Sequence, residues 1–373
     1  MIDLGRILRY AIDQGASDIH LKVPAPPALR LHGSLERIPK APPLRSEDTE
    51  RFLKEMLAKY PEKLEEFDET GGADFSHARE GVGRFRVNAF RQRGSVSLVM
   101  RAVPFKVPEL SELNLPPSVR ALAEEERGIV LVTGTTGSGK STTLGAMIDH
   151  INRTSKKHIV TVEDPIEILH NDRMSIINQR EVGIDTGSFA DAMRRVMRQD
   201  PDIILVGEIR DLVTMETALN AAETGHLVFS TLHTLDCTET VNRAIGFFPL
   251  HQQMQVRAML AGTLKGVISQ RLVKTQGGAG RVPACEILIT TGRARDFIMD
   301  PEQTGNISEV IRDGEFYGMQ TFDQSLFGHV KEGLITVEEA VRAASSPHDF
   351  KLMLEAGAAR RGEPIEALNG VEA

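Results

Sequence analysis

The residues best placed by type and spacing to do chemistry stand together at Gly134-Thr135-Thr136-Gly137-Ser138-Gly139-Lys140-Ser141, with Thr142 directly after. They fit G-x-x-x-x-G-K-[ST] without a mismatch. Glycines let such a loop fold round a phosphate so that its backbone N–H groups point inward. A helix beginning there adds partial positive charge at the same spot. In that setting Lys140 reaches the β- and γ-phosphates and the Ser141 hydroxyl sits on Mg²⁺. The motif requires a strand before it and a helix after it. The apolar run Gly128-Ile129-Val130-Leu131-Val132-Thr133 meets the first need and residues 141–148 the second. ATP and Mg²⁺ are therefore the expected cofactors.

Hydrolysis asks for more: a group that orients water and a second anchor for the ion. Two apolar runs end in carboxylates. One is Asp202-Ile203-Ile204-Leu205-Val206-Gly207-Glu208, which sets Glu208 beside the loop across a sheet. The other is Thr161-Val162-Glu163-Asp164-Pro165-Ile166-Glu167. A carboxylate near a γ-phosphate can orient the attacking water or take its proton. Spacing alone leaves Glu163 and Glu167 both open for that role, and Glu163 joins Ser141 and Glu208 as a candidate for the ion. His226 and His233 flank the run 227–231, so they lie at opposite ends of one strand. Both cannot touch one small ligand without a loop reaching back, which ranks His233 first. Arginines cluster at Arg84, Arg86, Arg91, Arg93 and Arg101, and again at Arg194, Arg195 and Arg198. Arginine supplied from a neighbour can stabilise phosphoryl-transfer charge.

The elements that must position these groups fall into two grammars. Residues 2–14 show helical spacing that Gly15 can stop. Residues 18–23 and 28–33 alternate as a hairpin, Ser46 can cap a helix over 47–59, and three strand-like runs follow at 73–76, 83–91 and 95–101. This predicts a small α+β domain over 1–105. Prolines 104, 108, 116 and 117 punctuate the stretch that contains a linker at 106–118. From 119 the pattern alternates: strands at 129–133, 158–162, 202–206 and 227–231, helices at 141–153, 188–199 and 211–223. That is the signature of a parallel sheet covered on both faces, which binds ligands at the carboxyl ends of its strands. After 236 the chain reads as mostly helical to 355, with a flexible tail at 356–373.

Composition narrows the function. The 373 residues carry a net charge of −8, which counts against a nucleic-acid partner. The two cysteines, Cys237 and Cys285, are far apart and support neither a disulfide framework nor a zinc module. No run approaches the ~20 apolar residues of a membrane span, and the N-terminus does not read as a signal peptide. A cytoplasmic protein is expected.

Taken together, the motifs resemble the PilT-type twitching-motility ATPases of the type II/IV secretion superfamily, over about 1–350. Ala16-Ser17-Asp18-Ile19-His20-Leu21 resembles the family's N-terminal motif. Residues 134–141 resemble its Walker A loop, 161–167 its Asp box and 202–208 its Walker B segment. Residues 222–234 resemble its His box, and 318–326 a segment of the PilT branch. The resemblance implies an α/β protein with a PAS-like N-terminal domain, a RecA-like P-loop domain with a helical extension, and a ring-shaped homohexamer binding nucleotide between domains. It implies Glu167 as the water-activating carboxylate, Glu208 as the Walker B glutamate, and His233 with His226 as the His-box pair. It also implies Arg84, Arg101, Arg194 and Arg198 as phosphate-facing arginines.

The implied activity is ATP-driven retraction of type IV pili at the inner face of the cell membrane, with an inner-membrane platform protein and other pilus ATPases as partners. Extension and secretion ATPases usually carry an extra N-terminal domain and a tetracysteine module, which favours the retraction branch here. One stretch departs from that branch. In Arg293-Ala294-Arg295-Asp296-Phe297-Ile298-Met299-Asp300, Arg295 is kept, but the usual isoleucine before it and the second arginine are replaced by Ala294 and Met299. An accessory pilus ATPase with weak turnover is the alternative that this departure raises, and an extension or secretion ATPase is another.

Overall fold

The computed structural model describes residues 3–104, 107–278 and 280–361. The chain divides into two compact units. The first contains residues 1–106 together with 165–169; the second contains 107–164 and the rest.

In the first unit, helix α1 (Leu4–Asp13) is capped by Asp3, whose carboxylate accepts the Arg6 N–H at 2.8 Å. It buries Leu4, Ile7, Leu8 and Ala11, the stripe that a 3.6-residue period dictates. The strands are β1 (Asp18–Leu21), β2 (Ala28–Leu31), β3 (Ser34–Arg37), β4 (Gly72–Arg79), β5 (Gly83–Gln92) and β6 (Ser95–Val103). They form one antiparallel sheet in the order β3-β2-β1-β6-β5-β4. The expected hairpin is present, but it continues into β3. His32 and Gly33, both at positive φ, make the two-residue turn that joins β2 to β3. Helix α2 (Ser46–Leu57) starts at its expected cap, one residue earlier than expected, so that Arg45 takes the cap position. Asp48 accepts the Arg45 N–H at 3.1 Å, while the Ser46 hydroxyl bonds to that of Ser95. Helix α3 (Pro61–Thr70) was not expected, because Phe67 is its one buried residue. Its ends still carry the signal of proline in the first turn and Gly71 in the left-handed region after the last.

The second unit opens with α4 (Pro117–Ala123) and β7 (Gly128–Thr133), then α5 (Lys140–Thr154) and β8 (His158–Glu163). Next come β9 (Ile176–Glu181), α6 (Phe189–Val196), β10 (Ile203–Val206), α7 (Leu212–Glu223) and β11 (Leu227–Leu232). Helices α8 (Cys237–Gly246) and α9 (Gln253–Thr263) lead into β12 (Leu264–Lys274) and β13 (Arg281–Ile289). Helices α10 (Gly292–Met299), α11 (Ile307–Asp313), α12 (Phe322–Lys331), α13 (Val337–Ala343) and α14 (Pro347–Arg361) complete the unit. The sheet runs β13-β12-β7-β11-β10-β8-β9, parallel throughout except for the β12–β13 pair. All six residues of β7 and of β11 are buried, as central strands of a doubly covered sheet must be.

Two expectations are corrected here. The stretch after 236 is not all helix, since β12 and β13 extend the sheet beside β7. Their short apolar runs fit either structure by periodicity, and length decides between them. The last helix reaches Arg361, past the expected start of the tail at 356, and residues 362–373 lie outside the described residues.

Glu286 on β13 is nearly buried, and its Oε1 accepts the Cys237 N–H at 2.9 Å at the start of α8. Burial raises its carboxyl above the ordinary range; the Cys237 N–H opposes this, Asp236 adds to it and Arg271 opposes it. A carboxyl whose folded pKa lies above its unfolded one loses stability as pH rises from the unfolded value through the folded one. Glu286→Gln keeps an acceptor for Cys237 and removes the charge. It is expected to melt higher than the wild type at pH 7, with the advantage vanishing near pH 4 in a melting series across pH.

Candidate nucleotide-binding site

The loop 134–139 leaves the buried end of β7 and enters α5 at Lys140. Gly134, Gly137 and Gly139 all have positive φ. At Gly134 the backbone passes so close to β12 that a Cβ would stand 2.4 Å from the Gln270 carbonyl oxygen and 2.6 Å from Ser138 Oγ. No other side chain fits there. Thr135, Thr136 and Gly137 are exposed, whereas Ser138 and Lys140 are buried. Ser138 Oγ is buried without a hydrogen-bond partner among the described residues. The Lys140 ammonium folds back over the loop, donating to the carbonyl oxygens of Gly134 at 2.8 Å and Thr135 at 3.0 Å. Ser141 and Thr142 are half-buried in the first turn of α5. A glycine cradle, a buried hydroxyl in need of a partner and an ammonium at a helix N-terminus fit a polyphosphate.

The parallel register delivers Glu208 to the same sheet edge. Val206 pairs with Ser230, and Leu232 with Thr133, so the ends of β10, β11 and β7 lie side by side. The turn carrying Glu208 is tied on both flanks. Gly207 N–H donates to the Val162 carbonyl at 2.7 Å, Thr231 Oγ1 donates to the Gly207 carbonyl at 2.6 Å, and Ile209 N–H donates to the Thr231 carbonyl at 3.2 Å. Glu208 Oε1 meets His233 Nε2 at 3.2 Å, and Oε2 accepts from Arg210. That bond holds the Arg210 guanidinium above its usual range, with help from Asp164 at 3.6 Å. Glu163 ends β8 and accepts from the Thr161 hydroxyl at 2.7 Å and Gln179 at 3.2 Å.

Several expected residues are not gathered there. His226 precedes β11 at the opposite edge, where its Nδ1 stands 3.0 Å from the Ala221 carbonyl. Six residues of extended strand span roughly 20 Å, so His226 does not reach the loop of its own chain. Arg194 sits in the last turn of α6 and pairs with Asp191 at 3.5 Å. Arg198 falls in the turn beyond α6 rather than on it, just before β10. That is the amino edge of the sheet, where His158 meets the Asp200 carbonyl.

Within the first unit, Arg84 and Arg86 on β5 share a face with Arg101, which pairs with Arg86 across the strands. Arg101 holds Asp18 at 2.9 Å. Burial pushes the Asp18 carboxyl up, but the Ser17 hydroxyl and Arg101 outweigh it and hold it below the usual range. Glu167 accepts from Arg86 at 3.3 Å on this same unit.

The family described as type II/IV secretion system protein matches residues 77–314. The chain belongs to this family. It is 45% identical over 350 residues to the type IV pilus retraction ATPase PilT of Pseudomonas aeruginosa, covering 94% of this chain and all of that one. It is 37% identical to the type IV pilus ATPase PilU of the same organism, covering 98% of this chain and 95% of that one. A crystal structure of the pilus retraction motor PilT with bound ADP superposes with a TM-score of 0.84 at 47% identity, covering 94% of this chain and 99% of that one. Family membership establishes the expected fold class, a PAS-like α+β domain followed by a RecA-like domain, and an ATPase that binds nucleotide.

What the family motifs leave out is β12. Gln270, fully buried, donates to Thr143 Oγ1 of α5 at 2.9 Å, and its backbone closes on Gly134. Leu272 packs under Gly139. The sequence offered no pattern for this wall, because it acts largely through backbone. Gly134→Ala adds a Cβ that β12 cannot accommodate at a φ that costs a side chain about 1–3 kcal/mol. ADP affinity measured by calorimetry is expected to fall roughly tenfold or more, with the circular dichroism spectrum unchanged.

Proposed function

We propose that this chain is a Mg²⁺-dependent ATP hydrolase that assembles as a homohexamer and drives type IV pilus retraction. It would work in the cytoplasm at the inner face of the cell membrane, on an inner-membrane platform protein and alongside other pilus ATPases. One observation carries the reading: the phosphate loop and the Glu208–His233 pair share one sheet edge in a chain 45% identical to a pilus retraction ATPase over nearly its whole length. No described helix is long and apolar enough to cross a membrane.

In this reading the backbone of 134–142 and Lys140 grip the phosphates. Among the described residues no cluster of three or more His, Cys, Asp or Glu could hold a metal alone. Ser141, Glu208 and Glu163 would therefore hold Mg²⁺ partly through water and jointly with the nucleotide. Bound there, the ion would neutralise charge developing on the phosphates. His233 holds Glu208 in place and registers loss of the γ-phosphate through it. Glu167 activates water. His226, Arg194 and Arg198 lie at the far sheet edge, so they would serve the nucleotide of a neighbouring copy; Arg84 and Arg101 supply phosphate-facing charge from the first unit.

The departure at 293–300 favours a second reading, an accessory pilus ATPase with weak turnover. The test is turnover of the purified chain measured together with its oligomeric mass. Lys140→Ala and Glu208→Gln are each expected to lower hydrolysis about a hundredfold or more. A Lys140→Ala protein at the wild-type rate, or a chain that stays monomeric with nucleotide, would overturn the proposal. A deletion strain that retracts more weakly but still retracts would select the accessory reading.

A further inference from the structure

Behind the loop lies a run of hydroxyls that hydrolysis does not require. Thr133, the last residue of β7, Thr234, just after His233, and Thr240 on α8 are all buried, as is Ser269 on β12. Thr234 Oγ1 and Thr240 Oγ1 are 2.6 Å apart, Thr240 Oγ1 and Thr133 Oγ1 3.4 Å, and Thr133 Oγ1 and Ser269 Oγ 2.7 Å. The run therefore connects the residue after His233 to the residue before Gly134.

Thr240 is the bridge, and the helix does not need it as a cap. α8 is already capped by Asp236, whose carboxylate accepts the Glu239 N–H at 2.7 Å. Thr240 gives its own proton to the Asp236 carbonyl at 2.6 Å. Its lone pairs then remain to accept from Thr234. Valine has the same shape and would pack a buried site more cheaply than a hydroxyl. Thr240 has one proton and two acceptors within reach, the Asp236 carbonyl and Thr133 Oγ1, so the run admits two arrangements. A displacement of the His233 turn would act on this balance through Thr234.

We propose that Thr240 is a positioning residue that couples the Glu208–His233 turn to the phosphate loop through Thr234 and Thr133. The proposal rests on the reading of the loop as a site of ATP hydrolysis, and two measurements keep the two apart. In hydrogen exchange on the full chain, ADP is expected to protect amides 233–236 in the wild type. In Thr240→Val it should not, although ADP still binds. In steady-state kinetics Thr240→Val is expected to lower kcat about tenfold with KM within about twofold, and Thr240→Ser to restore it. Thr240→Val and His233→Ala should also be non-additive in kcat.

Wild-type kcat in Thr240→Val, or ADP protection of 233–236 that survives the substitution, would overturn the coupling. So would a joint fall in kcat, ADP affinity and melting temperature that Thr240→Ser fails to rescue, since that is what a packing role alone produces. Should Thr240→Val not fold, Thr234→Val breaks the same contact from the loop side and faces the same outcomes. Loss of ATP hydrolysis as the fault of the broader reading would appear separately, as wild-type protein no faster than Lys140→Ala.

Discussion

The site depends on the parallel register of β7, β11 and β10. Pairing Leu232 with Thr133 and Ser230 with Val206 fixes where three strands end relative to one another. Three parts of the site follow within two residues of those ends: Gly134 after Thr133, Glu208 two beyond Val206, His233 after Leu232. A one-residue slip would turn each strand's buried set to the opposite face. β7, β10 and β11 are buried on both faces, so such a slip would have to repack both helical layers. The register is therefore held by the core, and the site inherits its precision from apolar packing it does not itself contain.

The loop shows how a cation is kept near a site without fixing it there. Lys140 is buried, and two of its bonds go to carbonyl oxygens of the loop it serves. These are ion–dipole contacts. A phosphate oxygen offers a charge-assisted bond of greater strength, so the ammonium can exchange partners without first being desolvated. The same economy applies at Glu208, where His233 and Arg210 fix each carboxylate oxygen in turn. An anion held by two cationic or polar partners has a defined direction, which is what orienting a water requires.

Much of this was legible before any coordinates. The phosphate loop, the carboxylate-ended strands and the central alternation of strand and helix follow from local pattern, because strongly periodic segments report their own structure. β3, β9 and α3 escaped for the opposite reason. Ser34–Arg37 is wholly exposed, Ile176–Glu181 turns polar after two residues, and Pro61–Thr70 buries only Phe67. Edge elements take their structure from a neighbour more than from their own composition. The wall that β12 forms behind Gly134 was out of reach too. It joins residues more than a hundred positions apart through a backbone carbonyl, which no side-chain pattern encodes. For Arg194 and Arg198 the residue type was legible but not the edge, whereas His226 was already placed at the strand end opposite His233.

The acidic segment carries the last constraint. Glu163 and Asp164 belong to the second unit, residues 165–169 fold with the first, and His170 returns to the second. Glu167 is bound there by Arg86, a residue 81 positions earlier in the chain. Ion pairs this exposed contribute little to stability, so the pair is better understood as fixing where Glu167 points. Glu167 therefore belongs to the body of the first unit. Glu163, four residues earlier, stays with the sheet that holds the phosphate loop. Sequence spacing could not separate these two glutamates, but membership in different bodies does. In the proposed reading, the candidate for holding the ion and the candidate for activating water are therefore carried by different units.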